Sequence, residues 1–335
     1  MSSTIAEMRA AVESRLQQSI KALPYGGVER LERMFSYHLG WEGKGSGEKA
    51  QGKRIRPVMV LLCCHALGGE WRNALPAAAA VELVHNFSLI HDDIQDVSSL
   101  RRGRETVWVK WGTAQAINAG DAMLTAAFME LDWLKDFYPA ESVLAAQRIL
   151  STTIFNLCRG QTLDMEFETR APDSLDEYWR MVDGKTAALL SACARLGAVL
   201  SNADGLVCDE FAEFGRLLGR AFQAQDDLLG IWGDEAMTGK SAASDLLTGK
   251  KTLPVTYALQ HDPVFRQRWQ AGPIKVEELD AISDLLINDG ARAYTEKEIE
   301  NLMKTALEIP AQSAGNAGRI DPLLQFTRDL IGRKR

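Results

Sequence analysis

A chain of 335 residues with 46% hydrophobic and 25% charged residues has the balance of an ordinary globular protein with a sizeable core. Its net charge of -7 excludes nucleic acid as a bulk partner, and no apolar run reaches the ~18–20 residues of a spanning helix, so no transmembrane segment is expected. Five cysteines (Cys63, Cys64, Cys158, Cys193, Cys208) without a Cys-x-x-Cys pair, and an N-terminus charged too early for a signal peptide, predict buried thiols in a cytoplasmic protein.

Amphipathic patterns predict helices over 4–22 and 28–40, joined by Pro24-Tyr25-Gly26-Gly27. Gly43 to Gly52 is a polar, glycine-rich loop that runs into Lys53-Arg54-Ile55-Arg56-Pro57, after which a helix reaches about Leu67. Lys53 and Arg56 stand near that helix's start, where cations oppose the macrodipole. Positive charge placed there suggests a bound anion, a solvated basic loop being the other reading.

Asn73 to Asp96 reads as a long helix with Ala77 to Ala80 as its small, close-packing face. Near its end Asp92 and Asp96 share one face, with Asp93 turned roughly 100° away. Like charges four apart cost ~0.2–0.5 kcal/mol, a cost that a hard divalent cation relieves. Mg2+ suits the place, because it takes one or two carboxylates, keeps several waters and completes its shell with substrate phosphates. Arg101 and Arg102 follow with guanidinium forks for phosphate. An exposed acidic helix end followed by a solvated basic turn is the alternative.

Beyond Gly103, helix resumes from Trp111 to about Phe137, and a further helix covers 142–169. That helix sets Gln161 and Asp164 on one face amid apolar neighbours, where they need partners, either in a neighbouring helix or as support for a metal site. A helix over 174–203 carries Lys185-Thr186 in an apolar interior, costly unless the lysine is paired or reaches a cavity. Helix 208–232 delivers a second acidic cluster, Gln223-Ala224-Gln225-Asp226-Asp227-Leu228-Leu229-Gly230. Gly233-Asp234, Gly239-Lys240, Asp245 and Gly249-Lys250-Lys251-Thr252 then form a candidate phosphate lid. The remainder, 254–335, reads as helical, with breaks at Gly272-Pro273 and Ile309-Pro310 and a basic end, Arg333-Lys334-Arg335. Strand signals are almost absent, and no linker divides the chain, so a single all-α domain over 1–335 is predicted.

Two Asp-Asp clusters on separate helices, a Gly-Lys-x-x-Arg-Pro loop and Arg101-Arg102 after the first cluster, in this order from about Gly52 to Pro254, resemble the trans-isoprenyl diphosphate synthases, the polyprenyl synthetase family. The resemblance implies one large helical bundle around a central cavity, in which Asp92, Asp96 and Asp226 ligate three Mg2+ bridging the diphosphate of an allylic substrate. Asp227 belongs to the same catalytic cluster. Arg101, Lys185 and Lys250 would hold that diphosphate, with Lys240 nearby, and Thr186 and Gln223 would line the site where positive charge develops. Lys53, Arg56, His85 and Arg102 would bind isopentenyl diphosphate; a satisfied core histidine is the other reading of His85, and His91 is left structural. The allylic partners implied are dimethylallyl, geranyl and farnesyl diphosphates, and the implied assembly is a homodimer, for which the Ala-rich stretch 114–131 offers an interface.

The chemistry suits these residue types. A carbon–oxygen bond breaks to an allylic cation and diphosphate, so the catalyst must stabilise a leaving anion, exclude water and hold two substrates side by side, the last worth up to ~7–11 kcal/mol. No protein nucleophile is needed, and family behaviour gives the final proton to the released diphosphate. Three positions depart from the family's commonest pattern: Gly230 where a third aspartate often stands, Glu105 for a proline and Trp108 for a histidine. Gly230 puts a metal ligand from that position in doubt. Phe87 and the small Ser88, five and four residues before Asp92, resemble certain geranylgeranyl diphosphate synthases and predict a twenty-carbon product. Farnesyl or longer products, a class I terpene cyclase and a non-catalytic synthase subunit are the alternatives; a cyclase would need no second diphosphate site.

Overall fold

The structure is a computed structural model that describes residues 3–233, 243–313 and 317–332. The chain forms two compact units, Met1–Ser151 with Cys193–Cys208 and Asn316–Leu323, and Thr152–Ala192 with Asp209–Gly315 and Leu324–Arg335. Both are built almost wholly from α-helices, as the sequence predicts.

The first unit contains α1 (Ser3–Lys21), α2 (Glu29–His38), α3 (Glu48–Gln51), α4 (Ile55–Ala66), α5 (Leu75–Gln95), α6 (Val107–Trp111) and α7 (Thr113–Leu131). Helix α5 is its axis, packed by α1, α4 and α7. Pro76 sits in the first turn of α5, where its missing N–H costs nothing. Ala77 to Ala80 are fully buried, so neighbouring helices approach closely on all sides of that turn. After α5 the chain makes a small antiparallel hairpin, β1 (Leu100–Arg101) and β2 (Arg104–Glu105), with Leu100 opposite Glu105 and Arg101 opposite Arg104. Its two turn residues, Arg102 and Gly103, both have positive φ (52° and 73°), which a two-residue hairpin of matching twist requires.

In chain order the remaining helices are α8 (Ala140–Thr169), α9 (Leu175–Val182), α10 (Ala188–Leu200), α11 (Gly205–Trp232), α12 (Ser244–Leu247), α13 (Leu253–His261), α14 (Pro263–Gln270), α15 (Leu279–Asn288), α16 (Ala291–Ser313) and α17 (Ala317–Ile331). Ser174 caps α9 by accepting from the Glu177 N–H at 3.1 Å. Ile231, Leu246, Val255, Phe265 and Leu286 anchor a core of the second unit.

Three expectations need correction. The helix predicted over 174–203 is interrupted by a π-helical turn at Asp183–Ala187, the turn that holds Lys185 and Thr186. The break expected at Ile309-Pro310 is absent, because Pro310 lies inside α16. Pro310 is buried, and packing offsets the hydrogen bond its ring removes one turn before the helix ends anyway. Cys158 is exposed, whereas the other four thiols are buried as expected. Among the described residues no helix is long and apolar enough to cross a membrane.

Candidate active site

The first acidic cluster sits where α5 ends. Asp96 is the C-cap of the helix, its N–H donating to the Asp92 carbonyl at 2.8 Å, so the two aspartates stand one above the other as their spacing predicts. Asp93, turned away from them, is almost fully buried (1% exposed) and accepts from Arg101 Nε at 2.7 Å, while its Oδ2 makes no hydrogen bond. Burial pushes the Asp93 carboxyl up to about 6 despite the Arg101 guanidinium. The hairpin thus brings Arg101 back against the helix end and presents the turn residue Arg102 beside it.

A second set of cations gathers in the same unit. Arg56 Nη1 lies 3.2 Å from His85 Nε2, and Arg56 Nε is buried without a hydrogen-bond partner. Arg102 Nη1 donates to the Ala50 carbonyl at 2.7 Å, its guanidinium lying over Gly52, where a Cβ would stand 2.8 Å from Arg102 Cζ. The glycine is therefore what lets the arginine fold onto the loop. Burial, then Arg56, Arg102 and Arg101, hold the His85 imidazole well below the usual histidine range. Lys53 is exposed at the loop's end. Arg54, not singled out by sequence reasoning, has a left-handed backbone (φ 49°) and is buried in a double ion pair with Glu82 (2.7 Å) and Glu13 (2.9 Å). This anchors the loop between Lys53 and Arg56.

In the second unit, the expected partner of Asp164 is Lys185, to which it is ion-paired. Thr186 donates to Gln223 Oε1 (2.7 Å), and Gln223 Nε2 donates to Asp227 Oδ1 (2.9 Å). Asp227 Oδ2 accepts from the Tyr178 hydroxyl (2.5 Å) and the Leu253 N–H (2.8 Å). Asp226, one residue earlier, is exposed. The two carboxylates of the cluster therefore divide: Asp227 ties helices together, and Asp226 is open to solvent. Burial pushes the Asp227 carboxyl up, opposed by Lys250 and by its hydrogen bonds. Lys250 Nζ stands 3.7 Å from Asp227 and 3.6 Å from Asp245. Burial disfavours its charge, yet these carboxylates outweigh burial and hold Lys250 above the ordinary lysine range.

The π turn is closely packed against α8. Gly160 on α8 faces Gly184, and a Cβ at 160 would stand 2.5 Å from the Gly184 carbonyl carbon. Two glycines let the backbones touch where Lys185 and Thr186 are presented. Gly230 also has a reason. A Cβ there would stand 2.5 Å from Asp245 Cγ, so the Asp245 carboxylate occupies the space a side chain at 230 would need. Asp245 is buried and its Oδ2 makes no hydrogen bond. At the other two departures, Glu105 contributes its carbonyl to the Tyr37 hydroxyl (2.9 Å) and Trp108 Nε1 donates to the Ser98 carbonyl (2.9 Å), both bracing the hairpin. Lys240, Asp234 and the basic end at Arg333 to Arg335 lie outside the described residues.

The model of the family described as polyprenyl synthetase matches residues 47–285. The chain belongs to the polyprenyl synthetase family. It is 40% identical over 299 residues to a (2E,6E)-farnesyl diphosphate synthase of Mycobacterium bovis, covering 84% of this chain and 80% of that protein. It is 42% identical over 259 residues to a geranylgeranyl diphosphate synthase of Methanosarcina mazei, covering 77% and 78%. Among solved structures, a polyprenyl synthetase from Streptomyces coelicolor A3(2) superposes with a TM-score of 0.89 at 33% identity, over 97% of this chain and 98% of that one. The all-α isoprenoid synthase fold and a trans-prenyltransferase activity follow from this membership.

Sequence reasoning missed Arg54, Glu82, Tyr178 and the packing role of Asp245. Glu82 carried a signal, a charge three residues before His85 on an apolar helix. Tyr178 carried none, since nothing in its neighbourhood announces that it meets Asp227.

Proposed function

We propose that the chain is a Mg2+-dependent, short-chain trans-prenyl diphosphate synthase that joins isopentenyl diphosphate to allylic diphosphates. The observation that carries this reading is the second set of cations, Arg56, His85 and Arg102, with the buried Arg56 Nε still without an acceptor. A buried guanidinium N–H left open costs ~1–3 kcal/mol, a cost that a diphosphate oxygen relieves. A terpene cyclase, which binds one diphosphate, gives that set nothing to do. Lys53, exposed beside it, completes the isopentenyl diphosphate site.

Asp92, Asp96 and Asp226 would hold three Mg2+, a reading that the order of motifs and the family membership support. The donors suit that ion: hard carboxylates, with an Asp93 oxygen that makes no hydrogen bond beside the first pair. Among the described residues no three acidic, histidine or cysteine side chains form a complete cage, and an ion completed by water and phosphate needs none. When bound, Mg2+ neutralises charge on the departing diphosphate. Lys185, Lys250, Lys240 and Arg101 hold that diphosphate, and Arg101 is oriented for it by Asp93. The Thr186 hydroxyl, fixed by Gln223, and the Gln223 amide present oriented dipoles to carbon as it becomes positive. With Asp245 over Gly230, the second cluster keeps three carboxylates.

The product is assigned as geranylgeranyl diphosphate. Phe87 is buried on α5, and Ser88 spends its hydroxyl on the His85 carbonyl (2.8 Å), so position 88 offers little bulk. Farnesyl diphosphate is the nearest alternative, and the relatives carry both names. A cytoplasmic homodimer is part of the proposal, supported by exposed Ile117 and Met129 on α7 and Trp133 and Phe137 just after it. The two units are proposed to act as one catalytic domain.

Incubating the protein with one allylic diphosphate alone, then adding isopentenyl diphosphate, tests the reading. Elongated prenyl diphosphate should form only with both. Cyclic hydrocarbon from the allylic substrate alone would give the site to a cyclase, and activity only with an added partner chain would make this a subunit. Ser88→Phe should shorten the product to fifteen carbons and Phe87→Ala should lengthen it.

A further inference from the structure

His91 stands between the residues assigned to product length and the first metal carboxylate, and no role has yet been attached to it. Its ring meets Phe87 edge-on, with centroids 5.8 Å apart and planes at 87°. On its other side the ring lies against Gly120 of α7, where an added Cβ would stand 2.9 Å from His91 Cε1 and closer still to Nε2 and Cδ2. Gly120 is buried, in the middle of α7. His91 Nε2 is turned to the polar edge of α7, 3.4 Å from the Ile117 carbonyl and 3.7 Å from Asp121 Oδ1. The imidazole is thus seated in a notch that exists because residue 120 lacks a side chain, and it braces the Phe87 ring from the side nearer Asp92.

Spacing along α5 gives this arrangement its consequence. Residues 87 and 91 are four apart, and 88 and 91 three apart, so all three side chains project from one face of the helix, one turn before the acidic end. A chain growing from a diphosphate held at Asp92 and passing Ser88 runs along that face. An edge-to-face aromatic contact biases a rotamer by only about two- to tenfold, not enough to lock it without support from behind. Gly120 supplies the room for that support.

We propose that His91, seated on Gly120, is a positioning residue for product length: it holds the Phe87 ring as the floor of the prenyl passage, and Gly120 sets how far back that floor stands. The inference rests on the proposed synthase activity and deepens it. Removing the imidazole frees Phe87 to turn aside and deepens the passage. Adding a methyl at 120 drives the imidazole off α7 toward Phe87 and makes the passage shallower. The two substitutions therefore act in opposite directions, which a general loss of stability does not produce.

Wild type, His91→Ala, His91→Phe and Gly120→Ala are assayed with farnesyl and isopentenyl diphosphates. Dephosphorylated products are separated by chain length, and each variant's melting curve is recorded. With His91→Ala the share of products beyond twenty carbons should rise at least fivefold. His91→Phe, which keeps an aromatic brace, should hold the wild-type distribution, and Gly120→Ala should move it to shorter products. If Gly120→Ala does not fold, the contrast between His91→Ala and His91→Phe decides the matter alone. An unchanged length distribution in His91→Ala, with a wild type that does elongate, overturns the inference and leaves the synthase reading standing. A wild type that forms no prenyl product overturns both.

Discussion

Asp227 and Asp226 are neighbours in sequence and opposites in structure, and substituting each by alanine separates packing from chemistry. Asp227→Ala removes the acceptor of three donors, the Tyr178 hydroxyl, the Gln223 amide and the Leu253 N–H, and strips Lys250 of one of its two close carboxylates. A buried donor left without a partner costs ~1–3 kcal/mol, and breaking a buried charged network by removing one partner costs ~3–5 kcal/mol in all. With ~2.1 cal/mol/K per residue, 335 residues lose about 1.4 °C in Tm for each kcal/mol, so the expected drop is about 4–7 °C, larger if the second unit melts separately. Turnover should fall as well, because Gln223 and through it Thr186 lose their anchor. Asp226→Ala, at an exposed position, should leave Tm within about 1 °C of wild type yet abolish turnover. Differential scanning calorimetry and a steady-state prenyl transfer assay on both variants read the contrast. Equal melting temperatures for the two would refute the division of roles between them.

Gly160→Ala should lower kcat by about 100-fold while the KM for isopentenyl diphosphate stays near wild type, because the methyl meets the Gly184 backbone and shifts the turn carrying Lys185 and Thr186; an unaltered kcat would show that the turn has slack. Burial and the surrounding arginines, Arg102 foremost, lower His38 from 6.5 to about 3, so on acidification the unfolded chain takes up a proton that the folded protein refuses. Stability is then full above pH 6.5 and falls by about 1.4 kcal/mol per pH unit below it, down toward pH 3, and His38→Asn should remove that share of the slope in denaturant melts between pH 6.5 and 5. Asp245→Asn should raise the Mg2+ concentration that protects the protein thermally in the presence of inorganic diphosphate by roughly tenfold, since a lost carboxylate charge weakens a hard-cation site; no shift would confine Asp245 to packing. Sedimentation at micromolar concentration should show a particle of twice 37.0 kDa, and a monomer would remove the homodimer from the proposal.

What the sequence determined by itself was whatever is written in local periodicity and in residue type. The helical pattern specified the all-α class, the four-residue spacing put Asp92 and Asp96 on one face, and the lone lysine in an apolar helix demanded a partner, which is Asp164. The order of the charged motifs was enough to name the family. The break expected at Ile309-Pro310 did not form, because burial there outweighs a local preference. Tertiary structure alone decided the rest, because each remaining feature depends on two segments meeting. It buried Asp227 and exposed Asp226, through Tyr178 and Leu253, which lie 49 and 26 residues away along the chain. It paired Gly160 with Gly184 at the π turn that holds Lys185, and it laid Asp245 over Gly230. It also seated His91 on Gly120, 29 residues on. A glycine in a sequence reports only the absence of a side chain; which atoms fill the space is settled when helices distant in sequence pack to crystal-like density, where a single methyl has nowhere to go.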